Sequence, residues 1–397
     1  MHQYMTEPMS IPRTGPDDAS HDHEDILYPE AGPFVLLHLA AFAAIWTGIT
    51  WQSVVICVVL YFLRIFAIGA GYHRYFAHRA YSTSRVFQFI LAFLSQSTAQ
   101  KSTLWWAAKH RHHHQHSDTE QDVHSPRHRG FVYAHLGWIF STRHRTTDLS
   151  KIADFARYPE LMLLHKYELT PAVILAAITF LIGGWPGLVV GFVWSTVLVY
   201  HGTFCINSLA HVHGRKRYVT GDDSRNNWLL ALVTMGEGWH NNHHAYQSSV
   251  RQGFRWWEVD PTFYILKALS WCGVVWNLKT PPEAVLRNEQ RLGTKIIERA
   301  AAELAASFPA ERIAAALHEA LAHAHAPTLA DLRDALATAQ HKTVDLLAKA
   351  HLPTFPTREA VRLRATAMFA KSRSMDDIVE RAHRLVLEAV GKRLAAA

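Results

Sequence analysis

Four apolar stretches, at roughly 34–51, 54–71, 172–185 and 188–206, constrain this chain first. They are long enough to cross the hydrocarbon core of a bilayer, although the third is short. Inside lipid every backbone N–H and C=O must be satisfied within the chain, so such stretches fold as helices. Only a few residues around Gln52 separate the first two, and Gly183-Gly184-Trp185-Pro186-Gly187 separates the last two. The expected membrane part is therefore two helical hairpins. Two further apolar runs, 86–99 and 263–278, are too polar or of borderline length. They are read as helices lying at the interface or packed on a cap, with a fifth crossing at the second run as the alternative.

Charge sets the orientation. The hairpin turns carry no Lys or Arg, whereas the loop from Tyr72 to Thr170 carries 13, and more follow Ile206. Positive residues stay on the cytoplasmic side, so the large segments and both termini are expected there. The net charge of +7 needs no nucleic acid to explain it, because cationic loops of membrane proteins produce the same balance. The basic loop also has no helix-turn-helix or zinc-finger pattern. Cys57, Cys205 and Cys272 are odd in number and without CxxC spacing, which speaks against a disulfide framework or zinc ribbon.

Three parts follow: a polar tail at 1–32, expected to be disordered and without signal-peptide features; a membrane domain at 33–280; and a helical extension at 281–397. After Pro281-Pro282 the chain turns rich in Ala, Leu, Glu and Arg, with Ile296, Ile297, Ala300, Ala301 and Leu304 forming one apolar stripe. Pro309, Pro327, Pro353 and Pro356 divide the extension into about four or five helices. Its balance of 17 basic against 14 acidic residues, a net of +3, demands no anionic partner.

Of the 28 histidines, three clusters fall on the cytoplasmic segments: His73-Arg-Tyr-Phe-Ala-His78, His110-Arg-His-His113-His114 and His240-Asn-Asn-His243-His244. Positions i, i+3 and i+4 share a helix face, so each of the last two clusters is expected to aim three imidazoles at one place. The first has spacing i, i+5, which leaves an α-helical face; it feeds two adjacent metals or sits where a helix ends. Eight converging imidazoles exceed what one tetrahedral ion needs, so two ions are expected. Imidazole suits iron, zinc, copper or nickel. Iron with dioxygen is the useful choice beside lipid, because an unactivated methylene yields only to a strong oxidant. His38, His135, His165 and His201 are read as structural.

The order of these boxes between two pairs of spans resembles the membrane fatty acyl desaturases of the stearoyl-CoA type, over roughly 34–280. Gly71-Tyr-His-Arg-Tyr-Phe-Ala-His78-Arg and Leu104-Trp-Trp-Ala-Ala look like the bacterial branch. The resemblance implies an all-α integral-membrane fold: four transmembrane helices in two hairpins under a cytoplasmic helical cap that carries a dimetal site, with a soluble helical region after it. A fourth family element is matched by Asn207-Ser-Leu-Ala-His211. The implied metal ligands are His73, His78, His110, His113, His114, His211, His240, His243 and His244, with Asn207 holding a water on the metal. His112 and His116 lie off the pattern.

By the same resemblance, two irons and dioxygen remove two hydrogens from neighbouring methylenes and leave a cis double bond at carbon 9 of an acyl-CoA. Tyr61 closes the end of the acyl tunnel and Trp106 lies beside the chain. Animal members have Arg-Asp before the second box where this chain has Ala108-Lys109, so an acyl-lipid carrier stays open. A fused haem-domain motif is not found, so a ferredoxin or flavoprotein reductase is expected as a separate electron donor. The expected location is a bacterial cytoplasmic membrane. Two rivals remain: a di-iron lipid or alkane hydroxylase built on the same ligands, and a non-enzymatic membrane metal-binding protein. The second is disfavoured because transporters place polar ligands inside their spans.

Overall fold

The computed structural model describes residues 28–323 and 356–396. Most of the expected N-terminal tail, together with Pro327 and Pro353, lies outside the described residues. Among the described residues the chain is helical apart from one antiparallel ladder of two short strands, β1 (Ser82–Thr83) and β2 (Val275–Trp276).

Helix α1 (Tyr28–Ala40) continues through short turns to Thr47. Gly48, at φ 77°, breaks it, and a reciprocal cap between Thr50 and Ser53 starts α2 (Trp51–Ala67). The winding then loosens into a π-helical segment, Ile68–Ala77, which carries the first histidine box. Helices α3 (Arg85–Gln96), α4 (Thr103–His116), α5 (Pro126–His135) and α6 (Pro159–Lys166) follow. The second apolar half of the chain begins with α7 (Thr170–Pro186) and passes through a π-wound turn, Gly187–Trp194, to α8 (Ser195–Asn207) and the single turn α9 (Leu209–Val212).

Two helical stretches are long and apolar enough to cross a membrane, Trp51–Ala77 and Thr170–Val212. The second has 43 residues and is not straight. Its backbone leaves helical geometry at Gly184 (φ 58°, ψ −149°). Ala172 then shares a buried cluster with Phe192 and Val193, although a straight helix would hold positions 172 and 193 about 30 Å apart. The chain folds back on itself at the Gly-Gly-Trp-Pro-Gly sequence. The first apolar stretch is shorter than a full span (Ala31–Thr47) and packs on this hairpin, with Leu37 and Ala41 in the same cluster. Large apolar side chains point outward from both halves, among them Leu36, Phe42, Ile45, Val59 and Leu181.

Arg64, inside α2, is fully buried and does not face this outer surface. It donates to Thr196 Oγ1 at 2.8 Å and to Ser195 Oγ, and its guanidinium stands over the Phe192 ring. It thereby ties α2 to the second hairpin.

The two apolar runs of uncertain status became α3 and α11 (Pro261–Trp271), which follows α10 (His240–Ala245). Each buries one side, with Leu91 and Ala92 on α3 and Leu266 on α11, and exposes the other, with Val86 and Trp271. The extension forms α12 (Thr294–Ala306), α13 (Ala310–His323), α14 (Arg358–Met368) and α15 (Met375–Ala396). Its cores include Leu304, Leu317, Val361, Ile378 and Val390. The apolar stripe of 296–304 packs on α14 and α15 and also on Val219 of the cap.

The fold-back depends on a missing side chain. A Cβ at Gly187 would lie 2.3 Å from the Thr179 carbonyl oxygen. Gly187→Ala is expected to cost about 1–3 kcal/mol by forcing the backbone apart, read as a lower melting temperature in detergent.

Candidate functional site

The three histidine boxes and His211 converge on one buried region, held by four separate parts of the fold. Among the described residues their ring nitrogens form two groups. One holds His73, His78, His110, His114 and His243; the other holds His113, His211, His240 and His244. The sequence reading aimed each i, i+3, i+4 triplet at one place. Instead each triplet divides between the groups. On α4, His110 and His114 enter the first and His113 the second; on α10, His243 enters the first and His240 and His244 the second.

The i, i+5 pair of the first box is explained by its winding. A π-helix bonds residue i+5 back to i, and the His78 amide donates to the His73 carbonyl at 3.1 Å. Five residues therefore make one turn, and both rings reach the same group with their centroids 4.9 Å apart.

Carboxylates fix the direction of several rings. His113 Nδ1 bonds Asp122, His211 Nδ1 bonds Asp118 and His244 Nδ1 bonds Asp222, each at 2.8 Å. His73 Nδ1 bonds Glu237, which also accepts from Arg74. A proton held on Nδ1 leaves Nε2 as a bare lone pair. The Nε2 atoms of His113 and His244 are buried with no hydrogen-bond partner. His114, His240 and His243 lack a protein partner at Nδ1, but each stands on the same helix as an oriented ring.

The spacing of the nitrogens fits a metal. Successive Nε2 atoms in the order His73, His243, His114, His110, His78 are 3.0, 2.9, 3.0 and 3.0 Å apart. His211 and His240 are also 3.0 Å apart. Two nitrogens bound at right angles at about 2.1 Å lie about 3.0 Å from each other, whereas a tetrahedral set lies about 3.4 Å apart. The observed edges suit a five- or six-coordinate ion better than tetrahedral zinc.

Electrostatics agree with this. Burial, reinforced by neighbouring imidazoles, holds His110, His114, His240 and His243 well below the ordinary imidazole value. They are neutral and ready to donate lone pairs at pH 7. Burial alone would raise the acids. For Asp222 the His244 contact outweighs it and keeps the carboxyl well below its usual range. For Glu237 the Arg74 and His73 contacts do the same, down to about 2.

The acids were missed in the sequence, though Asp118 and Asp122 stand just past the second box. Arg74 of the first box was missed too. It is fully buried and bridges Glu237 and Asp260. The two asparagines of the third box are structural. Asn241 accepts from the amides of Arg217 and Tyr218, and Asn242 donates to Glu258. His112 turns away to the Gln121 carbonyl, with His116 beside it. His38, His201 and His135 form a separate chain that ends on Ser208.

Beside the histidines lies a cavity of about 390 Å³, walled by Trp106, Trp138, Ala176, Phe192, Thr196 and Asn207 among others. Trp106 stacks on His110 at 4.7 Å and so separates the cavity from the first group. Tyr61 is not in this wall. It donates to the Val233 carbonyl and packs with Tyr72 and Ile65.

The fatty acid desaturase family model matches residues 49–270, more than half of the chain. The chain belongs to the fatty acid desaturase family. It is similar to the acyl-CoA C20 Delta5-desaturase of Anemone leveillei, 34% identical over 59% of this chain and 76% of that protein. It is also similar to the sn-1 stearoyl-lipid 9-desaturase of Anabaena variabilis, 36% identical over 62% and 91%, and to the icosanoyl-CoA 5-desaturase of Limnanthes douglasii, 35% identical over 66% and 73%. This desaturase is accordingly an oxidoreductase that uses dioxygen to unsaturate a fatty acyl chain.

Asp222 gives the sharpest test of the carboxylate contacts. Its second oxygen accepts from the Ser224 amide as well as from the Thr220 and Ser224 hydroxyls, so an Asn NH2 group would face a donor on one side or the other. Asp222→Asn is expected to weaken metal retention about 10–100-fold, measured by chelator competition on purified protein.

Proposed function

We propose that this desaturase is a four-span membrane enzyme holding two iron ions, one in each histidine group, and that it inserts a cis double bond at carbon 9 of a saturated acyl-CoA. The observation that carries this reading is the junction at Trp106, where one aromatic ring both lines the apolar cavity and stacks on His110. A methylene chain lying in the cavity is thus brought to within one indole ring of the first histidine group.

The parts divide the work as follows. His73, His78, His110, His114 and His243 hold one ion; His113, His211, His240 and His244 hold the other. The bound irons supply the redox chemistry by which dioxygen takes four electrons, two from the acyl chain and two from a donor, and leaves as water. Asp118, Asp122, Asp222 and Glu237 keep the Nδ1 protons in place, so the ligand nitrogens stay bare. Asn207, at the cavity edge, positions water next to the cages. Gln100 donates to Thr203 at 3.3 Å across the cavity wall, and the surrounding tryptophans exclude bulk water from the reacting methylenes.

For the acyl carrier, relatives carry both acyl-CoA and stearoyl-lipid names. A second, smaller cavity of about 190 Å³ is lined by Lys109, His112, Arg143, His144 and Lys151, with Asp148. Its cationic wall favours the phosphates of CoA. Dividing the chain into a membrane domain at 33–280 and an extension at 281–397 is supported by the end of the family match at 270 and by the separate cores of the last helices. The outward apolar belt, the folded second hairpin and the Ala31–Thr47 helix packed on it support four apolar segments in a membrane, which is taken to be a bacterial cytoplasmic membrane. The cationic loops support a cytoplasmic site and cytoplasmic termini. A separate ferredoxin or flavoprotein reductase supplies the two further electrons.

Expression in cells that lack unsaturated fatty acids tests this reading. Lipid mass spectrometry should find a 9-monounsaturated acid with the intact protein and none with His243→Ala. Saturated lipid alone, with a working reductase present, would sink it. Ala176→Phe, which fills part of the cavity wall, is expected to shift the preferred acyl chain shorter by several carbons, read from the same product profile.

A further inference from the structure

The carboxylates that orient the four-histidine group sit on two loops, and both loops meet the helical extension outside the family match. Asp118 and Asp122 lie on the loop after α4, and Asp222 lies on the loop between α9 and α10. The loops are joined directly, since the Asp223 amide donates to Asp118 Oδ2 at 2.7 Å. Helix α12 lies across the outside of the joint. Lys295 donates to the Gln115 carbonyl at 2.6 Å and Arg299 to the Ser117 carbonyl at 3.2 Å. On the second loop Lys216 faces Glu303 at 3.6 Å, and Val219 enters one buried core with Ala300, Ala301 and Leu304.

Both contact points fall beside residues at positive φ. Asp118, next to Ser117, has φ +54°, in the left-handed region that side chains rarely adopt. Gly221, next to Asp222, has φ +74°, and a Cβ there would lie 3.2 Å from Arg299 Cβ and 3.4 Å from Ile296 Cα. Such a conformation at Asp118 persists when its surroundings over-determine it, whereas Gly221 takes its φ freely and is packed directly under α12. The five-histidine group is oriented differently. Its acid, Glu237, is held by Arg74 and Gln252, and Arg74 in turn by Asp260, with none of these contacts on α12.

We propose that α12 is a clamp for one of the two metal centres: Lys295 and Arg299 are positioning residues that hold the Asp118 and Asp222 loops and so retain the ion of the His113, His211, His240 and His244 group. The extension then acts on one ion and leaves the other alone. This rests on the two-iron reading above.

The test uses the full chain in detergent, loaded with ferrous iron. Iron per chain and its release to a chelator are followed for the intact protein, for the double variant Lys295→Ala with Arg299→Ala, and for Arg299→Lys, which keeps a donor. Two ions per chain are expected in the intact protein. In the double variant one ion should leave about 10-fold faster while the other keeps its original rate, and Arg299→Lys should restore most of the retention. Equal acceleration of both ions, or unchanged release of both, overturns the clamp and leaves the two-iron reading standing. A single ion per chain in the intact protein overturns the two-iron reading, and the clamp with it.

Discussion

Everything about the site depends on where nine imidazoles keep their protons. A neutral ring has one N–H and one lone pair, and the buried acids decide which nitrogen has which. Asp118, Asp122, Asp222 and Glu237 each accept a hydrogen bond from an Nδ1 proton that stays on its ring. Without them the rings would be free to exchange tautomers or rotate, and the inward lone pairs would be lost. The acids are in turn fixed by amides, hydroxyls and Arg74. The region is therefore a nested structure, in which the outermost hydrogen bonds constrain the innermost nitrogens.

The membrane-facing part obeys a different constraint. Its large exposed side chains are apolar, and its polar groups are turned inward. Arg64 bonds to Ser195 and Thr196, so a full charge in an apolar helix becomes a tie between the hairpins. The cavity beside Trp106 lies where the two regimes meet, with apolar walls along α1, α7 and α8 and the His110 ring behind the Trp106 indole.

Much of this was legible in the chain because two periodicities carry it. Apolar runs marked the helical stretches, and i, i+3, i+4 spacing picked out the histidines of α4 and α10. Each failure has a physical reason. Spacing alone does not tell which side of a helix face a ring leans to, so the division of each triplet between two groups was hidden. The His73–His78 spacing was read as serving two adjacent metals or a helix end because an α-helical repeat was assumed, and the π winding that brings both rings to one group depends on tertiary packing around Gly69 and Gly71, where Glu237 and Ser95 leave no room for a Cβ. Asp118, Asp122 and Asp222 were overlooked because acids in polar loops are common and only their burial sets them apart. Tyr61 was placed at a tunnel end by likeness alone, and in the structure it bonds the Val233 carbonyl beside Tyr72 and Ile65.

Helices α4 and α10 each give rings to both groups. Neighbouring rings on one helix are spaced by a fraction of its 5.4 Å pitch, so the separation between the two centres is a property of rigid rods and not of adjustable loops. Sliding either rod would disturb both centres together. Two groups built in this way keep a spacing that the surrounding loops do not set.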